Sequence, residues 1–197
     1  MSRSLEYYIS QVSSHRGVFG HGLMHLPPRL HPGKVNRILL FPGAFNPPHR
    51  GHLELLRHAL DNCGSDANVI CAIVIPLDDE VLRSKFSSES SALLFQKHER
   101  VRLWRGYVPA DDFWIYDRSR PTFDKFQRRL IERVAQDDFE LKFSLLCGPD
   151  HMQDMSGIPS EPWGCKEIFF SDISRDTNLT STGIGSLWPM ETNRDRL

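Results

Sequence analysis

The chain lacks an excess of charge of either sign, because its 197 residues carry 24 lysines and arginines against 25 aspartates and glutamates. A protein that coats nucleic acid needs a basic surplus to displace counterions, so we expect no nucleic-acid partner. Long apolar runs are also missing. No stretch approaches the length of a membrane span, and the N-terminal region has no apolar segment typical of a signal peptide. We therefore expect no membrane partner.

Cysteine is scarce and follows no metal-binding pattern. The four cysteines show no C-x-x-C spacing, and three of them lie in or beside apolar segments. Reduced thiols in the core of an intracellular protein are favoured over disulfides or a zinc site. The sequence thus predicts a cytoplasmic or nuclear protein without a resident metal. The cysteines are Cys63, Cys71, Cys147 and Cys165.

Regular structure is predicted to be sparse in residues 1–36. Ser4 can cap a short helix over residues 5–9, but glycines and prolines then recur too densely for a regular element. Four histidines in this segment have spacings that fit no compact set of metal ligands, which favours a solvated, disordered arm. We predict an irregular extension over 1–36, one domain over 37–175 and an irregular tail over 176–197.

From residue 37 onward, strand-like and helix-like patterns alternate. Five apolar or β-branched runs have the length of buried strands, and amphipathic stretches lie between them. This alternation predicts an α/β fold, a single-domain, Rossmann-like, doubly wound parallel sheet of five strands, whose ligands bind beyond the carboxyl ends of the strands. The predicted strands are 36–41, 69–76, 112–116, 141–147 and 166–171. The predicted helices are 51–62, 91–104 and one that Pro121 opens.

The turn after the first predicted strand carries the most chemical information. Residues 37–56 read RILLFPGAFNPPHRGHLELL, so an apolar strand breaks into a turn that delivers His49 and His52 to the start of an amphipathic helix. Free backbone N–H groups and the helix dipole make an anion site there, and two imidazoles can add hydrogen bonds to phosphate oxygens. The alternative is a pair of surface histidines, but the position behind a strand and a G-x-F-x-P turn favours phosphate binding.

A second motif ends the fourth predicted strand, where residues 145–150 read LLCGPD. Gly148 permits a close approach of the backbone to a ligand, and the Asp150 carboxylate can accept from ribose hydroxyls. The alternative is that Asp150 only caps a helix over 151–155. Its position downstream of the histidine turn favours a role at a nucleotide.

Together these motifs resemble those of the nucleotidyltransferase superfamily, whose signature is (H/T)xGH. The G-x-F-N-P form of the turn is most similar to the nicotinamide/nicotinate mononucleotide adenylyltransferases. Members of that family join a pyridine mononucleotide to the α-phosphate of ATP, with Mg²⁺ bound with ATP, and release pyrophosphate. The resemblance implies ATP and a pyridine mononucleotide as partners, and a homo-oligomer is compatible with it. It also implies that His49 and His52 contact the phosphates and stabilise the charge that builds during in-line attack.

The same resemblance implies nucleotide contacts for five further residues. Gly43, Ala44 and Phe45 would lie against the nucleotide. Gly148 and Asp150 would lie at its ribose.

Two more contacts follow from the resemblance alone. Lys85 begins a segment similar to the family's substrate-side loop, which implies a contact with the triphosphate. Trp163 would stack on the pyridine ring, as an indole does over a cation, although a tryptophan is more often plain core. For Lys97, Arg102 and Arg105 a charged, solvated helix face is the favoured prediction.

The resemblance spans about residues 36–172 and lacks a later family motif, I-S-S-T-x-I-R. Its closest echo is LTSTGIG over 179–185, in which Gly185 stands where the phosphate-binding arginine would be. Such a loss removes a strong charge-assisted bond. A truncated or alternatively spliced form of a longer enzyme would explain this.

Three functional hypotheses therefore stay open. The first is an adenylyltransferase acting on a pyridine mononucleotide. The second is a cytidylyltransferase that uses CTP and a phosphorylated small alcohol, whose members usually read F-D in place of F-N-P. The third is a catalytically impaired pseudoenzyme that binds nucleotide.

Overall fold

The structure is a computed structural model and describes residues 3–19, 27–63, 66–88, 93–107, 112–148, 162–170 and 186–189. Its framework is one sheet of parallel strands in the spatial order β3-β2-β1-β4-β5-β6. The chain moves outward from the central β1 in one direction and then, from β4, in the other, which confirms the predicted doubly wound α/β fold. The strands are β1 Val35–Gly43, β2 Val69–Pro76, β3 Phe113–Ile115, β4 Glu140–Cys147, β5 Glu167–Phe170 and β6 Ser186–Pro189.

The five predicted strands are all present, and β6 adds a short edge strand. It pairs with β5 inside the segment 176–197 that the sequence predicted to be an irregular tail. The helices are α1 Leu5–Val12, α2 Arg50–Asn62, α3 Asp79–Lys85, α4 Lys97–Tyr107 and α5 Arg120–Ala135, with a short 3₁₀ helix at Pro162–Gly164.

Both faces of the sheet are covered, which explains the continuous apolar run of β1. Ile38 and Leu40 point into a cluster that includes α1 and α5, and we call this side the α5 face. Leu39 and Phe41 point into a second cluster that includes α2 and α4, the α2 face. Successive side chains of a strand alternate between faces, so a strand buried on both sides must be apolar throughout.

The described part of the N-terminal segment, residues 3–19 and 27–36, includes a packed helix, which corrects the expectation of a solvated arm. Leu5, Tyr8 and Ile9 of α1 are fully buried in the cluster on the α5 face. The Tyr8 hydroxyl and the Arg3 guanidinium both donate to the Asp137 carboxylate, at 2.9 and 2.7 Å, just beyond the end of α5. The segment therefore supplies part of the core.

Two helices on the α2 face differ from the sequence prediction. The predicted helix over 91–104 begins only at Lys97, and Leu93, which precedes it, is 76% exposed. The preceding α3 was missed. Its first turn carries Asp79 and Glu80, and its last turn carries two basic residues. This charge order suits a helix dipole and was the available signal.

A buried ion pair joins three neighbouring strands of the sheet, β1, β4 and β5. Arg37 of β1 donates to Glu167 of β5 through Nε and Nη2, at 2.6 and 3.2 Å. Ser144 of β4, between them, donates its hydroxyl to the same carboxylate at 3.0 Å. Burial alone would raise the pKa of the Glu167 carboxyl, but these bonds outweigh burial and hold its pKa below the usual value.

No helix within the described ranges is both long and apolar enough to cross a membrane.

Candidate functional site

The turn after β1 folds an aromatic ring back over its own strand. Phe45 has a left-handed backbone (φ 45°), and its buried ring lies so close to Gly43 that a Cβ there would sit 2.6 Å from Cζ. The ring packs edge-on against Phe41, His52 and Trp104, with centroids 5.1, 5.0 and 5.2 Å away. The G-x-F motif therefore needs glycine at position 43, because a side chain there would collide with the Phe45 ring. That ring in turn packs against the His52 imidazole.

The two histidines form one unit at the start of α2. Their ring centroids are 3.6 Å apart, with the planes tilted by 30°. The His49 backbone N–H donates to Nδ1 of His52 at 3.2 Å, and the His52 N–H donates to the His49 carbonyl at 3.0 Å. Because Nδ1 accepts, the ring proton of the neutral His52 imidazole is assigned to Nε2.

Gly51 explains the spacing between the histidines. A Cβ at this position would lie 3.3 Å from the His49 imidazole, tighter than an ordinary contact. Glycine thus leaves room for the imidazole of residue 49 beside the first turn of the helix. The rings stand at the N-terminus of a 13-residue helix that follows the carboxyl end of the central strand. Free N–H groups, the helix dipole and imidazole donors coincide there, so the place suits an anion.

The end of β4 lies against the same helix. A Cβ on Gly148 would meet Cδ2 of Leu55 in α2 at 3.3 Å. Since β4 pairs with β1, Gly148 stands across the switch point from the histidine turn. The structure brings these two predicted motifs together. Asp150, like the 179–185 echo, lies outside the described residues.

Arg100 holds the turn in place, and the sequence prediction did not single it out. Its side chain is fully buried. Its guanidinium donates to the carbonyls of Ala44, Leu77 and Phe95, at 2.8, 2.7 and 3.0 Å, and to the Asp79 carboxylate at 2.7 Å. One side chain thereby ties the turn to the end of β2, to α3 and to the segment before α4. The sequence signal for its burial is its helical position, because Arg100 neighbours Val101 and lies one turn before Trp104, and both of these apolar residues are buried.

Asn46 joins the turn to the same segment from the other side. Its Nδ2 donates to the Leu93 carbonyl, and its Oδ1 accepts from the Phe95 N–H, both at 2.8 Å. Both ends of the amide are used, so aspartate could not make this pair of bonds. The asparagine of the G-x-F-N-P motif has a structural role in fixing residues 93–95.

The basic residues of α3 and α4 have different environments. Lys85 is exposed at the end of α3. The prediction of a solvated face is wrong for Lys97. Its side chain is only 12% exposed and donates to Asp78 and to the Arg118 carbonyl, at 2.7 and 2.6 Å. Arg102 is exposed, as expected, and Arg105 is a half-exposed partner of an aspartate.

Asp78 lies at the centre of this charge arrangement. Its carboxylate accepts from Lys97 and, at 2.9 Å, from the backbone N–H of Arg120 at the start of α5. Burial alone would raise the pKa of this carboxyl, but the two bonds outweigh burial and hold its pKa below the usual value. Asp78 therefore stays ionised and fixes the start of α5 beside α4.

Trp163 packs against the core on the α5 face. It has a left-handed backbone (φ 60°), and its carbonyl accepts from Gln127 Nε2 at 3.3 Å. Its ring lies edge-on to Phe123, and the Arg120 guanidinium carbon stands 3.4 Å from the indole centroid. One face of the indole, predicted to stack on a pyridine ring, is thus covered by an arginine of the same chain.

Metal-binding groups are not assembled in the described part of the chain, where no cluster of three or more His, Cys, Asp or Glu residues could hold an ion. All four cysteines are buried free thiols. Burial raises the pKa of Cys147 and of Cys165 to about 12, so both are inert thiols at neutral pH.

Comparison with known proteins bears on this arrangement. A search of curated proteins finds no match to the chain. Residues 40–168 match the family described as cytidylyltransferase-like. This match covers more than half of the chain and includes the histidine turn, α2, the Arg100 cluster and the end of β4. The chain belongs to the cytidylyltransferase-like family, within the nucleotidyltransferase superfamily.

Proposed function

We propose that the protein transfers the adenylyl group of ATP to nicotinamide or nicotinate mononucleotide, giving NAD or its deamido form and pyrophosphate. The observation that carries the proposal is the histidine pair at the N-terminus of α2, where Nδ1 of His52 accepts a backbone N–H. With its ring proton on Nε2, His52 would donate to a phosphate bound at this helix start. The G-x-F-N-P form of the turn supports an adenylyltransferase.

In the proposed reaction, a phosphate oxygen of the mononucleotide attacks the α-phosphorus of ATP. The bond from this phosphorus to the bridging oxygen breaks, and pyrophosphate leaves with the electron pair. Charge grows on the equatorial and leaving oxygens, so donors fixed in advance stabilise the transition state more than the ground state. His52, His49 and the free N–H groups of α2 are these donors, and neither imidazole bonds to phosphorus. Mg²⁺ bound with ATP would supply positive charge at the same phosphates, in addition to these hydrogen bonds.

The remaining predicted contacts complete the proposal. The phosphates lie on the α2 terminus beside the half-buried Gly43 and Ala44, whereas the ring of Phe45 faces the core. Gly148 and Asp150 contact the ribose. Lys85 reaches the triphosphate from the end of α3, and Trp163 lies at the acceptor ring.

A cytidylyltransferase is the second candidate, favoured by the description of the matched family. A pseudoenzyme that binds nucleotide is the third, favoured by Gly185 in place of an arginine. Purified protein incubated with Mg²⁺, ATP or CTP, and either a pyridine mononucleotide or a phosphorylated alcohol separates the three by pyrophosphate release.

We expect release with ATP and a pyridine mononucleotide, lowered about 10²–10³-fold by His52→Ala. The matched control is His58→Ala, on the same helix, where the imidazole contacts Asn62. Turnover with CTP alone rejects the adenylyl proposal. Nucleotide binding without turnover supports the pseudoenzyme.

A further inference from the structure

A cavity of about 480 Å³ lies between α4, the start of α3 and the residues that follow β3. Its place in the sheet differs from that of the histidine turn, because β3 is the first strand in the spatial order and the turn follows the central β1. Arg100 reaches the turn from one side of α4. Residues 98, 102 and 105 recur at helical spacing on roughly the opposite side of that helix. The cavity and the turn are therefore separate places.

The lining of this cavity is mainly basic. Its two carboxylates are already neutralised, because Asp79 is paired with Arg100 at 2.7 Å and Asp117 with Arg105 at 3.0 Å. Neither carboxylate therefore presents an unopposed negative charge to an anion in the cavity. Four basic side chains of α4 complete the charged part of the lining: Lys97, His98, Arg102 and Arg105.

Arg105 is fixed in place on the side of the cavity towards β3. Its Nη2 donates to the Ile115 carbonyl at 3.4 Å and to the Asp117 carboxylate. Burial alone would raise the pKa of the Asp117 carboxyl, but the bond from Arg105, with His15 3.5 Å away, outweighs burial and holds its pKa below the usual value. Asp117 thus stays ionised and anchors the guanidinium. Nε and Nη1 of Arg105 have no hydrogen-bond partner in the described part of the chain.

Arg102 lies one helical turn before Arg105, and His98 lies one turn earlier still. Both Arg102 and His98 are exposed, and neither forms an ion pair or hydrogen bond within the described ranges. Like charges at this spacing on a helix repel, and an anion between the two guanidinium groups removes that repulsion. A phosphate group suits the place better than a carboxylate, because its three terminal oxygens can accept from two planar guanidinium groups and an imidazole at once.

We propose that this cavity binds the phosphate group of a small phosphorylated molecule, at a site separate from the histidine turn. Arg105 provides a donor that is fixed before the ligand arrives, and Arg102 and His98 close onto the bound anion. The volume of the cavity lies in the range of small-molecule sites. The inference does not depend on adenylyl transfer, since none of these three side chains takes part in that reaction.

Isothermal titration with inorganic pyrophosphate tests the site, in the full chain carrying His49→Ala and His52→Ala so that the turn does not bind the probe. We expect one site, weakened about ten-fold by Arg102→Gln and by Arg105→Gln, the factor that a hydrogen bond to a charged group supplies. Arg102→Lys, which keeps the charge but loses the planar fork, should also weaken binding. The matched control is Arg129→Gln, which removes an exposed arginine of α5 and should leave the affinity unchanged.

A second measurement needs no change to the turn. In the parent chain, pyrophosphate should shift the Nε–H resonances of Arg102 and Arg105 in a proton–nitrogen correlation spectrum and leave that of Arg129 in place. Three results would overturn the inference. They are unshifted Arg102 and Arg105 resonances, a pyrophosphate affinity that neither α4 substitution to glutamine changes, and an equal loss of affinity in Arg129→Gln, which a general effect of net charge would produce.

Discussion

Gly43→Ala tests the link between the G-x-F motif and the histidine pair. The added Cβ would lie 2.6 and 2.7 Å from two atoms of the Phe45 ring. A ring can often yield to such a contact, but this one is enclosed by Phe41, His52 and Trp104. It must therefore push at least one of these rings, and His52 is the one nearest to solvent.

The expected cost follows from overpacking of a filled core. Such substitutions destabilise by about 1–3 kcal/mol, which in a domain of this size lowers Tm by roughly 2–12 °C. A displaced His52 loses its alignment with a bound phosphate, so we expect ATP affinity to fall about ten-fold. Thermal unfolding measures the first effect, and titration of ATP with Mg²⁺ measures the second.

Gly106→Ala is the matched control, because a Cβ at this helical position meets nothing within 4 Å. It should stabilise by about 0.5–1 kcal/mol and leave ATP affinity unchanged. If Gly43→Ala kept both the Tm and the ATP affinity of the parent, the proposed support of His52 by Phe45 would be refuted.

Three further perturbations address other parts of the structure. Arg100→Met should lose about 3–5 kcal/mol in chemical denaturation, because it removes the buried ion pair with Asp79 and takes the guanidinium donor from three carbonyls. Asn46→Ala should free the segment at 93–95 and speed its amide hydrogen exchange, while β1 keeps its protection. Glu167→Gln should flatten the acid limb of stability: a carboxyl with a lowered folded-state pKa stabilises above its usual value of 4.5 and loses that contribution as the pH falls further.

Each of these predictions has an opposing result. For Arg100→Met it is a loss no larger than that of Arg102→Met, an exposed neighbour on the same helix. For Asn46→Ala it is unchanged exchange at 93–95. For Glu167→Gln it is an unfolding free energy between pH 7 and 3 that falls as steeply as in the parent.

The features predictable from sequence are those with a local signal. The strands at 69–76 and 141–147 are apolar runs bounded by turns, and parallel pairing follows from the helices between them. The histidine turn was readable because a strand end, a glycine and a helix start are consecutive in the chain. Its internal geometry could not be predicted from the sequence, since the close approach of the Phe45 ring to Gly43 depends on where Trp104 packs.

The features missed are those fixed by distant partners. Lys97 and Arg100 look like solvated charges on α4, yet their acceptors come from the end of β2, the turn after β1 and the start of α5. Likewise, nothing in the sequence around Trp163 predicts that the Arg120 guanidinium stacks on its indole ring. Burial of a charge is set by tertiary position, which periodicity on a single helix cannot report.

Because α1 packs against the core, the folded unit begins earlier in the chain than the family match. The match to the cytidylyltransferase-like family begins at residue 40, whereas the hydrophobic cluster on the α5 face already includes Leu5, Tyr8 and Ile9. A protein cut at the homologous boundary would keep every residue of the histidine turn but expose the apolar surface that α1 covers. The unit that folds is therefore longer than the stretch that matches the family, and substitutions in α1 act on the stability of the fold without touching the histidine turn.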